Sequence, residues 1–224
     1  MSYKILKTKN HLLQGVCVSS TYFLTQPQAT PKITDLHQSE CKDSRFIKPL
    51  RLHYKQNGED KKWDIIHSHD SVSVLLYERD LEAFVIVKQF RPAVFMRNHN
   101  GYIYELCAGL VDKPKKSLEQ IAIEEVFEEC GYEIPTSRLQ FINSFYNSVG
   151  ISGARQTNYL AEVSKEDKHA LGGGIDGENI EVLYLKASKA LDFVRDEDCH
   201  KTPSLAFAIN YFFYQYRPSN KKNR

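Results

Sequence analysis

Glutamates at positions 124, 125, 128 and 129 are the residues of this 224-residue sequence best spaced to do chemistry. Glu125, Glu128 and Glu129 stand at i, i+3 and i+4. On a helix that spacing puts their Cβ atoms within about 6 Å on one face, and like charges so placed cost roughly 0.2–0.5 kcal/mol per pair. Two readings account for such a cost. One is a solvated acidic face, partly neutralised by Lys115 and Lys116. The other is a hard divalent cation, since Mg²⁺ takes oxygen ligands, keeps several waters and is commonly bound beside substrate phosphates.

The local sequence builds the helix that would carry these acids. Ser117, followed by Glu119 and Gln120, has the pattern of an N-cap with first-turn acids. Leu118, Ile121, Ala122, Val126 and Cys130 recur at helical spacing and make one apolar face. Gly131 supplies the left-handed residue that commonly ends a helix. Upstream, Glu105 to Leu110 reads as a short strand running into a glycine turn, and Pro114 lies in the loop between.

Taken together, Gly109, Glu125, Val126, Glu128, Glu129, Gly131 and Tyr132 resemble the Nudix box, G-x5-E-x7-R-E-U-x-E-E-x-G-U. The chain departs from the pattern in its N-terminal half. Glu124 stands where the box has arginine, Lys115 and Lys116 stand in the region of the early glutamate, and the stretch from Gly109 to Gly131 is one residue longer. The resemblance implies an Mg²⁺-dependent hydrolase of nucleoside diphosphates, with Mn²⁺ as an alternative ion. It implies metal ligation by Glu125, Glu128, Glu129 and the Ala108 carbonyl.

Other positions acquire expected roles through the same resemblance. Lys88-Gln89-Phe90-Arg91-Pro92 follows a buried strand and reads by itself as a strand end meeting water. In the ADP-ribose-pyrophosphatase-like branch of the family a Gln-x-Arg here lies at the substrate site, which makes Arg91 a phosphate contact suited to bidentate binding. Glu105 either bonds substrate or orients Arg91, or is a plain strand-end acid. Ser148 and Gly150, in the SVGISGAR loop, are expected to touch substrate. Ala154 replaces the glutamate usual in ADP-ribose hydrolases, which favours the UDP-sugar (UDP-glucose) pyrophosphatases over them. The loop Gly172-Gly173-Gly174-Ile175-Asp176-Gly177-Glu178 reads as a plain connection on its own. Under the resemblance it supplies the catalytic base, with Glu178 first, Asp176 second and Glu181 third, while Glu125 also counts as catalytic. His67 and His69 are expected at the surface or in structural roles, Cys107 and Cys130 in packing, and Trp63 in a core or an interface.

The expected reaction is hydrolysis of a nucleotide sugar such as UDP-glucose to UMP and sugar 1-phosphate. ADP-ribose hydrolysis and a non-catalytic Nudix-fold binding module are the alternatives.

Composition sets the frame. Hydrophobic residues make up 42% and charged residues 26%, ordinary values for a globular chain. A formal charge of +2 gives no reason to expect nucleic acid or membrane as a partner. No apolar run reaches the ~20 residues of a membrane span. Five scattered cysteines without a C-x-x-C pair suggest neither a disulfide frame nor a zinc site, and point to a reduced, cytoplasmic setting.

Residues 1–40 read as an N-terminal extension, 41–218 as the Nudix domain and 219–224 as a basic tail. Strands are expected at Leu50–Lys55, Lys62–Ile66, Val72–Tyr77, Ala83–Phe90, Tyr102–Cys107, Leu139–Phe145, Gln156–Val163 and Ile180–Leu185. Closing helices are expected at Ala187–Val194 and Leu205–Tyr216. That order does not suit a regular βαβ repeat, so the fold class is α/β (α+β): an α/β/α sandwich around a mixed sheet. The resemblance further implies a homodimer built through residues near 46–66.

Overall fold

The structure is a computed structural model and describes residues 21–25, 27–28, 33–44, 47–175 and 177–216. Its first element is a hairpin of β1 (Lys48–Gln56) and β2 (Glu59–His67), turned at Asn57-Gly58. This ribbon forms a two-stranded sheet of its own, and β1 is exposed along its whole length. It meets the rest of the chain at the 148–152 loop, where the Trp63 indole N–H donates to the Gly150 carbonyl at 2.9 Å.

The main sheet has seven strands: β3 (Ser71–Glu78), β4 (Ala83–Phe90), β5 (Tyr102–Glu105), β6 (Cys107–Leu110), β7 (Gln140–Asn147), β8 (Ala154–Val163) and β9 (Ile180–Lys186). It is mixed, because β3 runs parallel to β8 while the other pairs are antiparallel. A split organises it. β4 pairs with β3 only near Glu78, and the segment from Tyr102 to Leu110 fills the gap. That segment is two strands rather than the single one expected, since at Leu106 the chain leaves β4 and joins β3.

Alternation along the central strands divides the core between the two faces of the sheet. Val72, Val74, Leu76, Val85 and Val87 pack with Ile121, Ala122, Val126 and Cys130 of α2 (Leu118–Cys130). Leu75, Phe84, Ile86, Leu160 and Leu183 pack on the other face. There they meet Phe193 of α3 (Ala190–Arg195) and Leu205, Ala208 and Ile209 of α4 (Pro203–Tyr211). The result is the α/β/α sandwich expected from the element order. Helix α4 continues as a π-helical turn, Phe212–Tyr216. Tyr22 and Leu24, inside the expected N-terminal extension, hydrogen-bond to β9, and Phe23 lies buried against Tyr104 and Phe193. The helix α1 (Pro92–Asn98) was not expected.

Candidate active site

Helix α2 begins and ends as its sequence dictates. The Ser117 hydroxyl accepts from the Gln120 N–H, and the Gln120 side chain accepts from the Ser117 N–H, a complete capping box. Gly131 closes the helix at φ 70°. Its apolar face anchors it to the sheet, which aims the acidic face at the β6 edge. Glu129 is buried there, and its Oε2 accepts from the Ala108 N–H at 3.0 Å. Glu125 lies over Gly109, where any Cβ would overlap its carboxyl group. Glycine is needed at this position for close approach.

Burial makes these acids hard to ionise. It pushes the Glu125 carboxyl up to about 7, with the neighbouring Glu128 charge adding to the effect and Lys113 opposing it. Burial likewise pushes Glu129 up to about 8, although hydrogen bonds from the Ala108 N–H and the Cys107 thiol pull the other way. Buried carboxylates lacking a full counter-charge are what a divalent cation would relieve. Among the described residues, no three His, Cys, Asp or Glu side chains close on one point. Glu125, Glu128 and Glu129 are thus not gathered round a common centre here; what they offer is the hard oxygen donor type that Mg²⁺ takes.

Arg91 stands at the N-terminal boundary of α1, where Pro92 occupies the first helical position. Its guanidinium donates to both oxygens of Glu105, Nε at 2.7 Å and an Nη at 2.9 Å. Of the readings for Glu105, its geometry is that of a residue orienting Arg91. Hydrogen bonding to Glu105 also raises the Arg91 pKa above its usual value. A guanidinium carries five N–H donors, so the two bonds to Glu105 do not exhaust it.

The glycine-rich loop is anchored. The Gly173 and Gly174 N–H groups donate to the Glu129 and Glu128 carbonyls at 2.8 and 3.1 Å, satisfying the open end of α2. Gly172, at φ 77°, passes so close to the Glu129 carbonyl that a side chain would not fit. The loop brings Glu178 within electrostatic reach of Glu125, Glu129 and Arg91, raising the pKa of all three. Asp176 lies outside the described residues. Glu181 is committed elsewhere, to the buried Lys88 ammonium at 3.0 Å. Glu128 is half-buried beside the others.

Ser148, at φ 48°, lines a cavity of about 300 Å³, whereas Gly150 faces outward with its carbonyl held by Trp63. Trp63 is exposed, as are His67 and His69, while Cys107 and Cys130 are buried. Glu105 and Ala108 share the cavity wall with Ser73, Asn147, Gln156, Thr202 and Ser204. The last five escaped the sequence reading. Their polar types carry no spacing signal, and α4 brings Thr202 and Ser204 here from nearly a hundred residues away.

No family model matches the chain. Individual proteins do. It is 37% identical over 210 residues to a uridine diphosphate glucose pyrophosphatase of Bos taurus, covering 81% of this chain and 95% of the relative. It is 35% identical over 206 residues to the Mus musculus protein of that name, covering 80% and 93%. A GDP-mannose pyrophosphatase of Klebsiella pneumoniae is 37% identical over 136 residues, covering 60% and 67%. With likeness of that extent, and with the box acids set on one face of α2, the chain belongs to the Nudix hydrolases, among the sugar-nucleotide pyrophosphatases.

Proposed function

We propose that the chain hydrolyses the diphosphate bond of UDP-sugars such as UDP-glucose, giving UMP and glucose 1-phosphate, with Mg²⁺ as its ion. The observation that carries this reading is the seating of Glu125 and Glu129 against Gly109 and Ala108, with Ala108 shared by a cavity lined by Glu105 and by hydroxyl and amide side chains. Such a lining suits a sugar, and the relatives' names supply the uridine diphosphate.

Glu125, Glu128, Glu129 and the Ala108 carbonyl would hold the ion, which supplies charge neutralisation and lowers the pKa of a bound water. Arg91, oriented by Glu105, steadies charge on the phosphate oxygens. Glu178 takes the proton of the attacking water, since its charge reaches Glu125 and Glu129 from the glycine-rich loop. Ser148, on the cavity wall, borders the substrate's path, and Gly150 contributes through the loop it shares with Ser148.

Two further features belong to this proposal. The chain acts as a homodimer through the β1–β2 ribbon, on which Leu50, Leu52, Tyr54 and Trp63 are all exposed and which two strands alone would hold weakly. It works in the reducing cytoplasm, consistent with Cys41, Cys107 and Cys130 being thiols rather than disulfides. Among the described residues, no helix is long and apolar enough to cross a membrane.

The test is a substrate panel of UDP-glucose, GDP-mannose and ADP-ribose with and without Mg²⁺, products separated by chromatography. UMP and glucose 1-phosphate should appear from UDP-glucose only with the ion and should vanish with Glu129→Gln. Equal turnover of ADP-ribose would overturn the uridine preference.

A further inference from the structure

Helix α2 carries five glutamates and no lysine or arginine, so any counter-charge for its acidic face must come from another element. The 111–117 loop provides it. Lys113 and Lys116 converge on one carboxylate, Glu124, with Nζ–Oε distances of 3.1 and 2.5 Å. All three side chains are about a third or more exposed, at 36%, 41% and 31%. Ion pairs so wet contribute little, so stability gives little reason for the convergence.

Location gives a better one. Glu124 and Glu128 are i, i+4 neighbours, and Glu125 is adjacent. The Lys113 ammonium therefore feels Glu128 and Glu125 as well as Glu124, and it is a cation that acts on the half-buried Glu125 carboxyl. Glu124 also occupies the position that the box pattern gives to arginine.

We propose that Glu124 is a positioning residue: it clamps Lys113 beside Glu125 and Glu128, so that the loop delivers the cation that keeps the metal-holding carboxylates in place. This rests on the reading of those acids as ligands. The charge order is reversed relative to the box pattern, with an acid on the helix and the cation brought to it.

The experiment measures Mg²⁺ binding to the full chain by calorimetry without substrate, for the wild type, Lys113→Met, Lys113→Arg, Glu124→Arg and the double variant Lys113→Met/Glu124→Arg. Removing a positive charge would by simple Coulomb attraction tighten Mg²⁺ binding. Positioning requires the opposite, so Lys113→Met should weaken it about tenfold, as loss of an outer-shell partner does. Lys113→Arg should stay within about twofold of wild type, since the cation is kept. The double variant adds positive charge beside the site yet should recover most of the lost affinity, because the guanidinium introduced on the helix takes over from the clamped lysine. Kinetics should show the concentration of Mg²⁺ at half-maximal rate rising in Lys113→Met with kcat at saturating ion little changed. Circular dichroism of each variant confirms that the fold persists. Unchanged or tighter binding by Lys113→Met would overturn the inference, as would absence of recovery in the double variant or of Mg²⁺ binding by the wild type. Because calorimetry needs no substrate, a wild type that binds Mg²⁺ but leaves UDP-glucose intact would sink the proposed activity alone.

Discussion

Glu125 sits directly over Gly109, and the space a methyl group would need at residue 109 is filled by its carboxyl. Gly109→Ala should therefore displace Glu125 while leaving the rest of α2 seated. We expect activity to fall by roughly 10²–10³, the scale of losing one electrostatic stabiliser. A Mg²⁺-induced rise in melting temperature should shrink with it. Full activity in this variant would show that Glu125 is not held where it must act.

Two acids three residues apart in sequence should behave in opposite ways. Glu178 is exposed and its charge acts on Glu125, so as the proposed base its replacement, Glu178→Gln, should lower kcat steeply and leave the melting temperature alone. Glu181 instead holds the Lys88 ammonium, which is 2% exposed. Glu181→Gln strands that charge, at a cost of about 3 kcal/mol. At this chain length the loss corresponds to roughly 6–12 °C, readable by calorimetry.

The pairing of Arg91 with Glu105 gives a third expectation. Arg91→Lys keeps the charge but cannot bond both Glu105 oxygens in the plane that a guanidinium does. It should raise KM for UDP-glucose and lower kcat, and Glu105→Gln should follow in the same direction with a smaller effect. If Glu105→Gln proved the more damaging, Glu105 would itself contact substrate.

For the metal-free protein, stability should fall as pH rises. Glu125 and Glu129 move from 4.5 when unfolded to about 7 and about 8 when folded. Between those values the folded state binds more protons than the unfolded one, so the derivative of unfolding free energy with pH is negative. Melting temperatures in chelator should drop from pH 5 to pH 8 and then level off. The drop should be smaller in Glu129→Gln, and Mg²⁺ should offset it most above pH 7. Parallel curves for the two proteins would count against a buried, ionisable Glu129.

The acidic helix was legible because everything that builds it is local: Ser117 and Gln120 at one end, Gly131 at the other, and apolar spacing between. The central strands were legible for the same reason, each being a short apolar run. What escaped depends on distant contacts. Helix α1 has no buried residue, so it shows no apolar stripe, and Pro92 at its first position was the one available sign. The switch at Leu106 from β4 to β3 leaves no mark in the sequence, since no proline, glycine or turn pair stands at that point. Likewise Glu181 looked available until β9 paired with β4 and set it opposite Lys88.

The bonds from Gly173 and Gly174 to the Glu129 and Glu128 carbonyls tie two halves of the chemistry to one footing. Any excursion that withdrew Glu178 with its loop would also strip the last turn of α2 of its donors, loosening the very peptide units that bear Glu128 and Glu129. On the proposed assignment, the proton acceptor and the ion-holding side chains would then be armed and disarmed together.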